Sequence, residues 1–244
     1  MTYSAAVRIA WPTSCASLEG RIAWPYLDIR RIVTVGLGCA FLSPGPFAML
    51  PWLHADGRHA TADEAATAWQ FLHTMLAARV ASAYAYPGHL HLAEETIDQL
   101  ARARLDDDVA MLTRRWPDFA DFPAYAQAAL LAMAWAVGAG AVHPGLTSLE
   151  WPHLQAAVDL RDWRSAAKAG QIRWEYNPGV RPRDWLVEAL FTLAAGGSHE
   201  EARAGWVAGS SGEAAEKALA SMVAAIEAEL AEVAPTTETW PVSH

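Results

Sequence analysis

The sequence predicts an α+β fold that is predominantly helical, with one small β-containing region near the N-terminus. Three observations predict it. Residues 21–37 carry Ile22, Ile29, Ile32, Val33 and Val35 in partial two-residue alternation, which suits a hairpin or small sheet. Thr61 and Ser198 each stand three residues before a glutamate, Glu64 and Glu201, the spacing of a helix-opening capping box. Residues 93–115 place Ile97, Leu100, Leu105, Val109 and Leu112 near one stripe of a long helix.

Taken in order, the elements read as follows. Pro12 stops any earlier helix, because its ring removes a donor and crowds the preceding turn. Thr13 or Ser14 then caps a short helix from Cys15 to Glu19, and Gly20 suits the position just past its end. Glu19 thus stands at the mouth of a helix. After the β region, Pro44, Gly45, Pro46 and Pro51 mark an irregular segment. The Thr61 capping box opens a helix through about residue 83, and Tyr86, Pro87, Gly88 and His89 form a break. The long helix over 93–115 is ended by Pro117, and residues 123–137 (Leu130, Leu131, Met133, Trp135) form a buried helix closed by Gly138 and Gly140. Shorter helices are expected at about 147–159, 162–169 and 182–195. A last, alanine-rich helix over about 212–233 precedes a frayed tail at 235–244.

At 244 residues, 53% hydrophobic and 18% charged, the chain is globular and long enough for one large domain or two small lobes. Its 27 acidic against 18 basic residues give a net charge of −9, which repels phosphate and excludes a nucleic-acid partner. No apolar run is long enough for a membrane span, and residues 1–12 lack the pattern of a signal peptide. Cys15 and Cys39 read as two small buried side chains and not as a disulfide framework or zinc site. His89 and His91 lack a third ligand at a recognisable interval, so neither a metal nor a cofactor is expected. Most of the twelve tryptophans, Trp69, Trp163 and Trp174 among them, fall at helical core spacing and read as packing.

The segment with chemical content is 18–39, where Glu19, Gly20, Tyr26, Asp28, Thr34, Gly36 and Gly38 spell E-G-x5-Y-x-D-x5-T-x-G-x-G. Two carboxylates and a hydroxyl ahead of alternating glycines match the needs of a sugar-cleaving site. One carboxylic acid protonates the leaving glycosidic oxygen, and a second group orients or activates water on the opposite face of the ring. Any one of these residues alone would be an ordinary solvated side chain.

The intervals of nine and six residues joining Glu19, Asp28 and Thr34, followed by Thr34-Val35-Gly36-Leu37-Gly38, resemble the catalytic triad and glycine-bearing strand of the phage-type lysozymes, glycoside hydrolase family 24. The likeness extends over roughly residues 14–195. The stretch Gln127–Gly138 is similar to the family's central helix, Asp162-Trp163, Ala166-Ala167 and Arg173-Trp174 to its later helices, and Gly179-Val180 through Arg183 to Leu190-Phe191 to its ending. Departures are Cys39 where the family carries His, Ala136 in place of a sugar-holding amide, Ile29-Arg30-Arg31-Ile32 in a turn that usually contains Gly, and Arg183 alone of a paired-arginine motif.

The resemblance implies a lysozyme-like two-lobe fold in residues 1–195. A β-hairpin lobe of about 13–60 is joined by the long helix to a helical lobe of about 93–195, with a glycan cleft between them and a C-terminal helical extension at 196–244. It implies hydrolysis of the β-1,4 bond between N-acetylmuramic acid and N-acetylglucosamine, with inversion. Glu19 is then the general acid, its carboxyl kept protonated by apolar neighbours such as Trp24 or Ile22. Asp28 and Thr34 position the water. Tyr26, Gly36, Gly38 and Trp135 are the candidate substrate contacts, Tyr26 being a packing residue before a catalyst.

The implied partner is bacterial peptidoglycan, met in the periplasm or wall. Without an export signal the chain is either released as an endolysin or delivered by a secretion apparatus as an antibacterial effector, carried by a partner or held by an inhibitor or immunity protein. The acidic surface favours the delivered effector. Three other readings stay open: a non-catalytic lysozyme-like module that binds glycan or a partner, a helical interaction protein, and a lytic transglycosylase, which needs the acid but no water-positioning Asp.

Overall fold

The computed structural model describes residues 3–28, 30–77, 79–86, 88–137, 151–171, 181–204 and 210–233. They are mostly helical and carry one small three-stranded antiparallel sheet, an α+β architecture.

Helix α1 (Ala5–Glu19) begins at Ser4, whose hydroxyl accepts from the Val7 N–H at 3.2 Å, and runs straight through Pro12. The short helix expected to start after Pro12 is therefore the second half of a longer one. An interior proline costs roughly 3 kcal/mol, and packing offsets it. Ala6, Val7, Ala10, Trp11 and Cys15 are buried, and a fully buried valine by itself contributes roughly 1.5–3 kcal/mol. Much of that face lies against α10 (Ser210–Val233), to which the Ser14 hydroxyl donates at the Ala218 carbonyl, 3.1 Å away. Glu229 of α10 also accepts from the Ser4 hydroxyl and the Ala5 N–H. Gly20 closes α1 with φ 74°, a conformation glycine adopts freely.

The sheet follows at once, in the order β1 (Ile22–Leu27), β2 (Val33–Gly36), β3 (Cys39–Phe41). Tyr26 pairs with Thr34 and Thr34 with Ala40, while the β1–β2 register shifts between Ile22 and Tyr26, around the donor-less Pro25. The segment expected to be irregular contains a short helix, α2 (Pro44–Ala48), because proline is pre-organised for a first helical position.

Helix α3 (Ala62–Leu72) opens with the expected capping box: Thr61 Oγ1 accepts from the Glu64 N–H, and the Glu64 carboxylate accepts from the Thr61 N–H at 2.8 Å. It stops at Leu72, well before residue 83. Both the N–H and the hydroxyl of Thr74 donate to the Phe71 carbonyl, closing a turn in place of a further helical step. A 3₁₀ turn at Ala81–Tyr84 then brings the Tyr84 ring beside Tyr26.

Helix α4 (Glu94–Arg115) matches its expected span, with Glu94 and Glu95 in the first turn and Arg114 and Arg115 in the last, each complementing the helix dipole. Ile97, Leu105, Val109 and Leu112 are buried and Leu100 is half-buried. Helix α5 (Ala124–Val137) is buried from Ala126 to Trp135, as its composition requires; Gly138 and Gly140 lie outside the described residues. Helices α6 (Pro152–Asp159), α7 (Trp163–Ala169), α8 (Arg181–Ala194) and α9 (His199–Arg203) follow. Asp162 caps α7, and the Ser198–Glu201 box caps α9. The helix start expected at 147 and the tail at 235–244 lie outside the described residues.

One hydrophobic core joins the sheet to α1, α4, α5, α8 and α10, the last supplying Ala215, Ala218, Leu219, Met222, Val223 and Ile226. Trp69 and Trp163 are in it, as expected, and Trp174 lies outside the described residues. Among the described residues no helix is long and apolar enough to cross a membrane.

Candidate active-site groove

The end of α1, the first β-turn, the β2–β3 turn and the end of α5 converge on one cavity of about 340 Å³. Glu19, Asp28 and Thr34 all line it. Gly38, Arg30, Arg104, Trp135, Ala136 and Arg183 complete much of its wall.

Each side chain has a local reason for its place. Glu19 is the last residue of α1, and the left-handed Gly20 turns the chain away so that the carboxylate faces the cavity. Asp28 follows β1 in a tight turn. Its Oδ1 accepts from the N–H groups of Arg30 and Ile32, both at 2.8 Å, which pins the carboxylate. Arg31 takes a left-handed φ of 62° in this turn, a conformation that glycine adopts more freely. Thr34 is buried on β2, and its hydroxyl donates to the Ile32 carbonyl at 3.2 Å, so the same turn holds both groups. Gly38 has φ 80°, and a Cβ there would lie 3.2 Å from Glu19 Oε2. Only a residue with no side chain lets this backbone pass so close to the acid.

Glu19 has a charged partner that the sequence reading did not anticipate. It forms an ion pair with Arg183 of α8, both side chains being mostly buried, while the Trp24 indole donates to the Ala81 carbonyl. Burial works against the charge on Arg183, and Glu19 is its counter-ion. Arg104 of α4 spans the floor. It donates to the carbonyls of Gly38 (3.0 Å) and Trp135 (2.9 Å), lies 4.6 Å over the Trp135 ring, and faces the buried Asp108 at 3.7 Å. Burial raises the Asp108 carboxyl to about 6.

Among the candidate substrate contacts, Gly38 and Trp135 line the cavity. The Trp135 indole is itself buried and donates to the Leu37 carbonyl at 3.0 Å, so it acts as floor under Arg104. Tyr26 packs on Tyr84, its phenol pushed up to about 12 chiefly by burial, and so stays protonated. Gly36, at φ 69°, lies against Ile97, which a Cβ would meet at 3.2 Å. Neither of these two is in the groove wall. Cys15 and Cys39 are buried and unpaired, their thiols raised by burial to about 12 and about 11. Among the described residues no cluster of His, Cys, Asp and Glu could hold a metal ion.

Sequence reasoning missed Arg104. The signal was Asp108, a carboxylate standing among Leu105, Val109 and Leu112 on the apolar stripe of α4, with an arginine one turn earlier to meet it. The cavity has the size of a small-ligand site and presents two carboxylates, a hydroxyl and three guanidinium groups, a set able to move protons and to hold a polar, partly anionic ligand. No family model, no curated protein and no solved structure matches this chain significantly.

Proposed function

We propose that this chain is a glycoside hydrolase of the phage-type lysozyme kind, a muramidase that hydrolyses the β-1,4 bond between N-acetylmuramic acid and N-acetylglucosamine. One observation carries the reading: Glu19, Asp28 and Thr34, contributed by a helix end, a turn and a strand, line the same groove. In this reading the sheet belongs to one lobe and helices α5 to α8 to the other, with α4 linking them in a lysozyme-like arrangement.

Glu19 donates a proton to the leaving glycosidic oxygen. To do so it must hold one, so glycan entering the groove separates its carboxyl from Arg183. Asp28, fixed by two main-chain N–H groups, orients water, which the Thr34 hydroxyl helps to hold. The substrate lies in the bacterial periplasm or wall. An acidic enzyme gains little wall affinity from charge, which favours delivery by a carrier, with an inhibitor or immunity protein in the producer.

The test is clearing of purified peptidoglycan sacculi followed by mass spectrometry of the products. Wild-type protein is expected to release muropeptides with reducing ends, and Glu19→Gln to release none while keeping a native circular dichroism spectrum. Anhydro-muramyl ends would reassign the chain as a lytic transglycosylase. Absence of products from wild type would leave the groove as a binding site.

A further inference from the structure

The proposed substrate and the charge of the chain stand in tension. The protein carries −9 overall, while wall glycan bears carboxylates, on the lactyl group of each muramyl sugar or on the stem peptide attached to it. The groove departs from the rest of the chain: Arg30, Arg104 and Arg183 line it together with Glu19 and Asp28, so cations outnumber anions in its wall.

Two of those three arginines are committed. Arg183 is the ion-pair partner of Glu19. Arg104 is tied to the carbonyls of Gly38 and Trp135 with Asp108 beside it. Arg30 differs from both. Its main-chain N–H is anchored on Asp28 Oδ1, and the following Arg31 adopts φ 62°, so the backbone under it is held against the Asp28 carboxylate. Its side chain is exposed, and its guanidinium makes no ion pair or hydrogen bond among the described residues. An anchored backbone carrying an unspent five-donor fork at a groove rim fits a planar anion, because guanidinium binds carboxylate through two parallel hydrogen bonds.

We propose that Arg30 is a specificity-determining residue that binds a carboxylate of the wall glycan; this rests on the muramidase reading. The groove thereby recovers locally the attraction for an anionic polymer that the acidic surface forgoes, and it prefers muramyl strands to neutral amino-sugar chains. Arg30 takes no part in proton transfer.

The test compares wild type, Arg30→Ala and Arg30→Lys on strands of three kinds: intact peptidoglycan strands with stem peptides, the same strands after enzymatic removal of the peptides, and peptide-free strands whose carboxylates have been converted to methylamides. Binding is measured by calorimetry in the Glu19→Gln background, so that it requires no turnover, and cleavage is measured with Glu19 present. Arg30→Ala is expected to weaken binding of carboxylate-bearing strands about tenfold. Converting the carboxylates should weaken wild type by a similar factor and leave Arg30→Ala unchanged. Arg30→Lys should fall between, with steeper loss in high salt. Dependence on Arg30 that needs the peptides assigns the carboxylate to the stem; dependence on peptide-free strands assigns it to the lactyl group. Equal binding by wild type and Arg30→Ala, loss that ignores the carboxylates, or no binding to any strand overturns the proposal. Binding with the expected pattern but no cleavage by any protein carrying Glu19 leaves this assignment standing and sinks the muramidase reading.

Discussion

Asp108 breaks the apolar stripe of α4, and its carboxylate is buried with Arg104 3.7 Å away, just beyond hydrogen-bond reach. Burial raises its carboxyl from 3.8 to about 6. An acid raised in the folded state binds a proton more tightly there than in the unfolded chain. This group therefore favours folding most at acid pH, and its contribution falls as pH rises from about 4 to about 6 and then levels. The loss is roughly 3 kcal/mol by neutral pH, at 1.36 kcal/mol per unit. Asp108→Asn removes the titration. Denaturant unfolding of the two proteins across pH 4–7 should show the variant gaining on wild type through that window, and a difference independent of pH would refute it. At this scale the meeting of Glu19, Asp28 and Thr34 at one groove was legible in their spacing, because a helix end, a turn and a strand lie within one short segment. Arg104 and Arg183 were not legible as groove residues, since each meets its partners from a distant part of the chain.

The elements divide along the same line of local against remote causes. Capping boxes are local: Thr61 and Glu64 satisfy each other's main-chain N–H groups in the structure as the sequence predicts. Thr61→Ala is expected to cost about 1 kcal/mol, seen as a lower denaturation midpoint with unchanged slope, because the cap lies outside the groove. The end of α4 after Arg115 and the buried character of α5 were legible for the same reason. Pro12 was not, because local preference said stop and burial against α10 said continue. The early end of α3 belongs here too. Thr74 and the docking of Tyr84 on Tyr26 turn back a segment that periodicity alone would have extended.

At the scale of the whole molecule, α10 packs on α1, the first described helix. Helix α1 ends in Glu19, and Ser14 and Ser4 donate to α10. A chain cut after residue 204 would uncover the face of α1 that packs on α10 and loosen the helix that presents the acid. It is expected to lose near-ultraviolet circular dichroism and its cooperative thermal transition. A native spectrum from that truncated chain would show that the core closes without α10. The composition of residues 212–233, rich in alanine and charge, predicts a helix but not what it packs on.

The sequence by itself determined the mostly helical class, the small N-terminal sheet, the caps, and three polar groups within one short segment that line one groove. Those follow from interactions within a few turns of helix or one hairpin, which residue order encodes directly. Only the tertiary structure decided that Pro12 sits inside a helix, that α10 covers α1, that Glu19 meets Arg183, and that arginines outnumber carboxylates around the groove. Such pairings depend on burial and on which distant surfaces meet, and pattern along the chain holds no record of either.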